Sequence, residues 1–195
     1  MIRSARKRGL AALLSVGVLL AGTVFTVMTS SQATALAAPV PPPASAVELR
    51  CDAPSTNGFG FAPHLSLVTQ MTQIQRTTIY RGCSAPAFPN IRSGHEHKTN
   101  NLMDDCNIML NATGNANFAI TWNTGQTSTL GVTRSSFLSG TTLTVSFTGT
   151  VTAGLFAGRR VRQVFTADAT ELIACLNGTG KLPILVSDVS LTIYI

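Results

Sequence analysis

The chain has 195 residues, 11% of them charged and 45% hydrophobic, with a formal charge of +6 at neutral pH. Four of its 14 basic residues, Arg3, Arg6, Lys7 and Arg8, crowd the N-terminus; without them ten basic residues face eight acidic ones, a charge of +2. A chain so balanced, with Arg and Lys scattered along it, has no electrostatic footprint for nucleic acid or an anionic membrane surface.

Residues 1–37 read as a secretory leader. A basic start is followed by an uncharged run to Met28, and Ala35-Leu36-Ala37 closes it with small residues at the cleavage positions. The expected product is a secreted, extracellular protein cut near Ala37, with no stable membrane association afterwards. Residues 38–46, Ala-Pro-Val-Pro-Pro-Pro-Ala-Ser-Ala, form a Pro-rich spacer that can enter neither a helix nor a central strand. The remainder, 47–195, is the right size for one domain with one core.

That remainder is rich in Thr, Ser, Asn, Gly and Val, which favours strands. Phe118, Ile120 and Trp122 alternate with polar residues, and Asn123-Thr124-Gly125 then turns the chain into 127–133, where Leu130 and Val132 share a face. The clearest strand is 142–152, with Leu143, Val145, Phe147 and Val151 on one side and Thr144, Ser146, Thr148 and Thr150 on the other. The C-terminus repeats the pattern with Val189, Leu191, Ile193 and Ile195. Weaker strand signals cover 65–74, 77–83, 107–112, 161–167 and 182–186. One short helix is expected over 168–176, with Asp168 as its cap, Glu171 in the first turn and Asn177-Gly178 at its end. The expected fold is all-β: a single antiparallel β-sandwich, or a partly open barrel.

Cys51, Cys83, Cys106 and Cys175 all fall in the exported part, so two disulfides are expected. Their spacings of 32, 23 and 69 fit no zinc pattern. Of the three connectivities, positions at the starts and ends of elements favour Cys51 with Cys106 and Cys83 with Cys175.

Candidate chemistry is sparse. His95-Glu96-His97 lies in a stretch without apolar alternation and reads as an exposed polar loop, with His95 and His97 the residues available for binding. Arg159 and Arg160, with Arg162, form the one local basic cluster, on a solvated strand face. Asp104-Asp105 reads as a turn before Cys106. No Gly-x-Ser-x-Gly elbow, metal framework or catalytic constellation is present, and no cofactor is implied.

Two segments, 119–130 (Ala-Ile-Thr-Trp-Asn-Thr-Gly-Gln-Thr-Ser-Thr-Leu) and 148–158 (Thr-Gly-Thr-Val-Thr-Ala-Gly-Leu-Phe-Ala-Gly), together with Ala174-Cys-Leu, resemble a group of small exported actinobacterial β-rich proteins with no assigned activity. The resemblance implies export, a β-rich fold and disulfides, and it carries no catalytic residue. The chain is also similar in kind to the neocarzinostatin-type chromoprotein apoproteins, small exported two-disulfide β-sandwiches, which implies small-ligand binding. It departs from them in its widely spaced cysteines.

The resulting expectation is an exported, non-enzymatic binding or interaction module. Its partner would be an extracellular protein, a cell-wall glycan or a small hydrophobic ligand. The alternatives are a secreted hydrolase using His64, His95 or His97 with a carboxylate, and a protease inhibitor presenting the loop 84–93.

Overall fold

The computed structural model describes residues 46–195; the leader and all of the spacer but Ala46 lie outside the described residues. Eight strands follow in chain order: β1 (Val47–Leu65), β2 (Gln70–Ser84), β3 (Gly94–Asp104), β4 (Gly114–Trp122), β5 (Thr127–Ser139), β6 (Thr142–Gly154), β7 (Arg160–Asp168) and β8 (Leu182–Tyr194). Two short helices interrupt them, α1 (Cys106–Asn111) before β4 and α2 (Thr170–Leu176) before β8. Each strand is antiparallel to the next. β8 returns to β1, with Leu191 opposite Cys51 and Val186 opposite Gly58, so the all-β sheet closes into an eight-stranded barrel. At this strand number the interior is just wide enough for side chains to fill, or to hold one small ligand.

Alternation decides which side chains go inside. In β6 the interior takes Leu143, Val145, Phe147 and Val151, and in β8 Val189, Leu191 and Ile193. Ile195 follows the last strand and is exposed. Phe118, Ile120 and Trp122 of β4 are core, and Gly125 takes the left-handed φ of 81° that the β4–β5 turn needs.

Because every connection reverses direction, the loops sort to two ends. The turn at 66–69, α1, the 140–141 turn and α2 share one end; the loops at 85–93, 123–126 and 155–159 share the other. An aromatic plug fills the second end. Trp122 packs between Tyr80 and Phe156, and Phe88 stands edge-on to Phe156 at 5.2 Å. The indole N–H donates to Ser128 Oγ, which donates to the Leu155 carbonyl. Gly94 makes room for this ring: a Cβ there would lie 2.8 Å from Trp122 Cε3. The loop 84–93, the segment of the inhibitor alternative, follows Cys83 and packs against the plug while Pro86, Pro89 and Arg92 stay exposed. Ala85 and Ile91 are buried, and Asn123 Oδ1 accepts from the backbone N–H groups of Arg92 and Ser93.

The disulfides pair differently from the sequence expectation. They join Cys51 to Cys83 and Cys106 to Cys175, not Cys51 to Cys106 and Cys83 to Cys175. Cys51 and Cys83 are on neighbouring strands with Cα atoms 4.0 Å apart, near the plugged end. Cys106 starts α1 at the opposite end, where its N–H bonds Ser66 O, and there it meets Cys175 of α2. Position within an element does not reveal which elements become neighbours once the sheet closes.

The expected strand 107–112 is a helix. Asp105 caps it, Oδ1 accepting from the N–H groups of Asn107 and Ile108 at 2.8 Å, while Oδ2 accepts from Thr69. Arg134 closes the other end by donating to the Met109 and Ala112 carbonyls. Helix α2 occupies part of the expected 168–176. Asp168 lies one residue before its cap position, accepting from the Thr170 N–H and hydroxyl.

Candidate functional site: a cavity ending on a buried arginine

The interior strand faces are not uniformly apolar. Thr72, Ile74, Arg76, Thr78 and Tyr80 succeed one another along the inner face of β2, and Glu96 projects inward from β3. Arg76 is 4% exposed and Glu96 1%. Arg76 Nη2 donates to Glu96 Oε2 and to Gln163 Oε1, each at 3.1 Å, and Nε donates to Thr78 Oγ1. The Tyr80 hydroxyl donates to Glu96 Oε2 and accepts from the Gln163 amide. Around the guanidinium stand Phe118, Phe165, Phe147 and Phe59, with ring centroids 3.8, 4.8, 5.2 and 5.7 Å from Cζ.

Burial pushes the Glu96 carboxyl above its usual range against the pull of Arg76 and the Tyr80 hydroxyl. The same burial raises the Tyr80 phenol well above its ordinary value, with Glu96 adding to it, and draws Arg76 down. Two buried polar atoms of this network have no protein hydrogen-bond partner: Arg76 Nη1 and Glu96 Oε1. Native interiors leave few such groups, and each calls for an explanation.

A cavity of about 200 Å³ lies between Arg76 and the helix-bearing end of the barrel. Its walls are Phe59, Ile74, Phe118, Val145 and Phe147 from the strands and Ile108 and Met109 from α1, with Leu102 and Met103 at the end of β3. Leu102, Met103 and Ile108 are also substantially exposed, as is Met71, which is paired with Met103. Leu102, Met103 and Ile108 give the mouth an apolar rim. Lys98, Asn100, Asp104 and Arg134 supply the remaining polar groups of the wall.

One side of the cavity runs along a gap in the sheet. β3 and β4 pair only at Gly94 with Trp122 and His95 with Thr121, and then diverge to accommodate α1. Lys98 Nζ reaches across the gap to the Asn117 carbonyl at 2.8 Å and lies 5.6 Å from the Phe118 ring.

Of the polar residues singled out in the sequence, Asp104 lines this cavity, whereas His64, His95, His97, Arg159 and Arg160 do not. His95 and His97 lie on the outer face of β3, not on a loop, and His97 Nδ1 is 3.0 Å from Thr77 Oγ1. Glu96 between them faces inward, so the triplet does not converge on a metal or a proton. No group of three or more metal-ligating side chains occurs among the described residues. Arg159 pairs with Glu48 at 2.6 Å, and Arg160 opens β7 at the plugged end. The residues that build the site, Arg76, Glu96, Tyr80 and Gln163, carried one available signal: Arg76 stands in phase with Ile74 and Tyr80.

Fold and interior together define a closed antiparallel barrel with an apolar chamber and a charged floor. The chain matches no protein-family model, no curated protein and no solved structure, so its functional reading rests on these residues alone.

Proposed function

We propose that the protein is an exported, non-enzymatic binding module whose ligand is a small, mainly apolar molecule held inside the barrel. The observation that carries this reading is the apolar cavity that ends on Arg76, whose Nη1 is buried without a partner. Ligand sites are typically concave, apolar and furnished with a few placed polar groups, and this chamber has that make-up. Its size suits an aromatic ring with a short substituent, since a cavity of ~150 Å³ lined by apolar side chains takes up benzene. Export is supported by the leader, and an oxidising compartment by two disulfides with no free cysteine among the described residues.

Toluene titration followed by methyl NMR tests the reading. Saturable shifts at the methionine methyls of Met103 and Met109 are expected, with a rise in Tm by mass action. Ala116→Phe, which fills the cavity from β4, should abolish both effects. Absence of any shift in the wild-type protein at saturating toluene would refute the reading.

A further inference from the structure

Resting on that reading, we propose that the ligand presents an uncharged oxygen acceptor, a ketone, aldehyde, ester or amide carbonyl, to Arg76 Nη1, and that the barrel selects it over a carboxylate of the same size. Three of the five N–H donors of this guanidinium are engaged within the protein: Thr78, Glu96 and Gln163 take Nε and Nη2, and the two on Nη1 remain. Arg76 is part of the cavity wall, and Phe59, Phe118 and Phe147 are shared between the wall and the ring of aromatics about the guanidinium. The guanidinium whose Nη1 has no protein partner is therefore part of the chamber wall.

Charge decides which acceptor fits. Glu96 Oε2 at 3.1 Å already neutralises Arg76, and both side chains are buried. A ligand carboxylate would bring a second negative charge into this interior, whose desolvation nothing on the floor offsets. A carbonyl oxygen accepts the Nη1 hydrogen and adds no charge. The other two cations of the wall are engaged within the protein, Arg134 by the Met109 and Ala112 carbonyls and Lys98 by the Asn117 carbonyl.

Three probes of one shape separate the possibilities: acetophenone, its planar hydrocarbon isostere α-methylstyrene, and benzoate, each titrated calorimetrically onto the oxidised protein. Acetophenone should bind at least about tenfold tighter than α-methylstyrene, the gain expected when a buried charged donor acquires an acceptor. Benzoate should bind more weakly than acetophenone. In the charge-neutral double variant Arg76→Met/Glu96→Gln, which removes the donor without leaving a buried ion, acetophenone and α-methylstyrene should bind equally.

Equal binding of the two neutral probes to the wild-type protein would overturn the assignment of Nη1 while leaving the barrel a binding module. Preference for benzoate would overturn the uncharged head group. Failure of all three probes to bind would remove the binding reading itself.

Discussion

Taking a guanidinium and a carboxylate out of water costs several kcal/mol per ion, and at Arg76 and Glu96 the offset comes from their pairing, from Tyr80 and Gln163, and from the surrounding Phe rings. Removing one partner leaves the other charge bare. Arg76→Met alone should therefore destabilise the protein by about 3–5 kcal/mol, and Arg76→Met/Glu96→Gln by much less; urea denaturation of the two measures the difference. The Glu96 carboxyl is held above its usual range by burial, so the folded protein binds that proton more tightly than the unfolded chain. Its contribution to stability is therefore greatest below the ordinary glutamate range and declines as pH rises toward its elevated folded value. Denaturation from about pH 4 to about pH 7 should show a decline in the wild-type protein that is shallower in the double variant.

At the scale of single elements, β6 offers the most direct test of alternation. Phe147 is buried edge-on to Phe118 and Phe165, with centroids 5.0 and 5.5 Å away, while its neighbour Ser146 points outward. Phe147→Ala should cost about 3–5 kcal/mol and Ser146→Ala less than about 0.5 kcal/mol. Equal effects in chemical denaturation would contradict the assignment of faces. β6, β4 and β8 were legible in the sequence because their inner positions are apolar. β2 showed only as two weak segments, 65–74 and 77–83, and β3 not at all, for the converse reason. The alternation breaks at Gln75-Arg76, where a charged residue faces inward, and it is invisible across 94–104, where Gly94, Glu96, Lys98, Asn100 and Asp104 occupy the inner phase. Four of the residues that spoil the hydrophobic pattern, Arg76, Lys98, Asn100 and Asp104, line the chamber, as the proposed binding reading expects. Helix α1 was hidden differently: Ile108-Met109-Leu110 is a short apolar run that periodicity alone assigns to either state. Its cap at Asp105 and its bond to Cys175 settle it.

For the whole molecule, the composition made an antiparallel all-β domain with two disulfides readable, whereas closure was not, because no local pattern states that β8 will lie against β1. The same ignorance of neighbours defeated the cysteine pairing. Cys106–Cys175 ties the two helices together at the mouth and spans 69 residues. Cys106→Ser/Cys175→Ser should lower stability by about 2–4 kcal/mol in chemical denaturation while the far-ultraviolet dichroism of the barrel persists. Loss of that signal instead would mean that the strands cannot close without the cross-link. Along β3 beyond His95 and along β4 before Thr121, every second amide points toward a strand that does not pair with it. Such protons exchange with solvent without unfolding, whereas those on the β2 and β5 sides wait for the ladders to open. Residue-resolved deuterium uptake should thus divide each strand into alternating fast and slow amides, and uniformly slow uptake along both would mean that the seam is sealed in solution. On the proposed binding reading, with Lys98 spanning the gap, the residence time of a ligand held inside should be set by side-chain motion there, and not by the far slower breakage of a strand ladder.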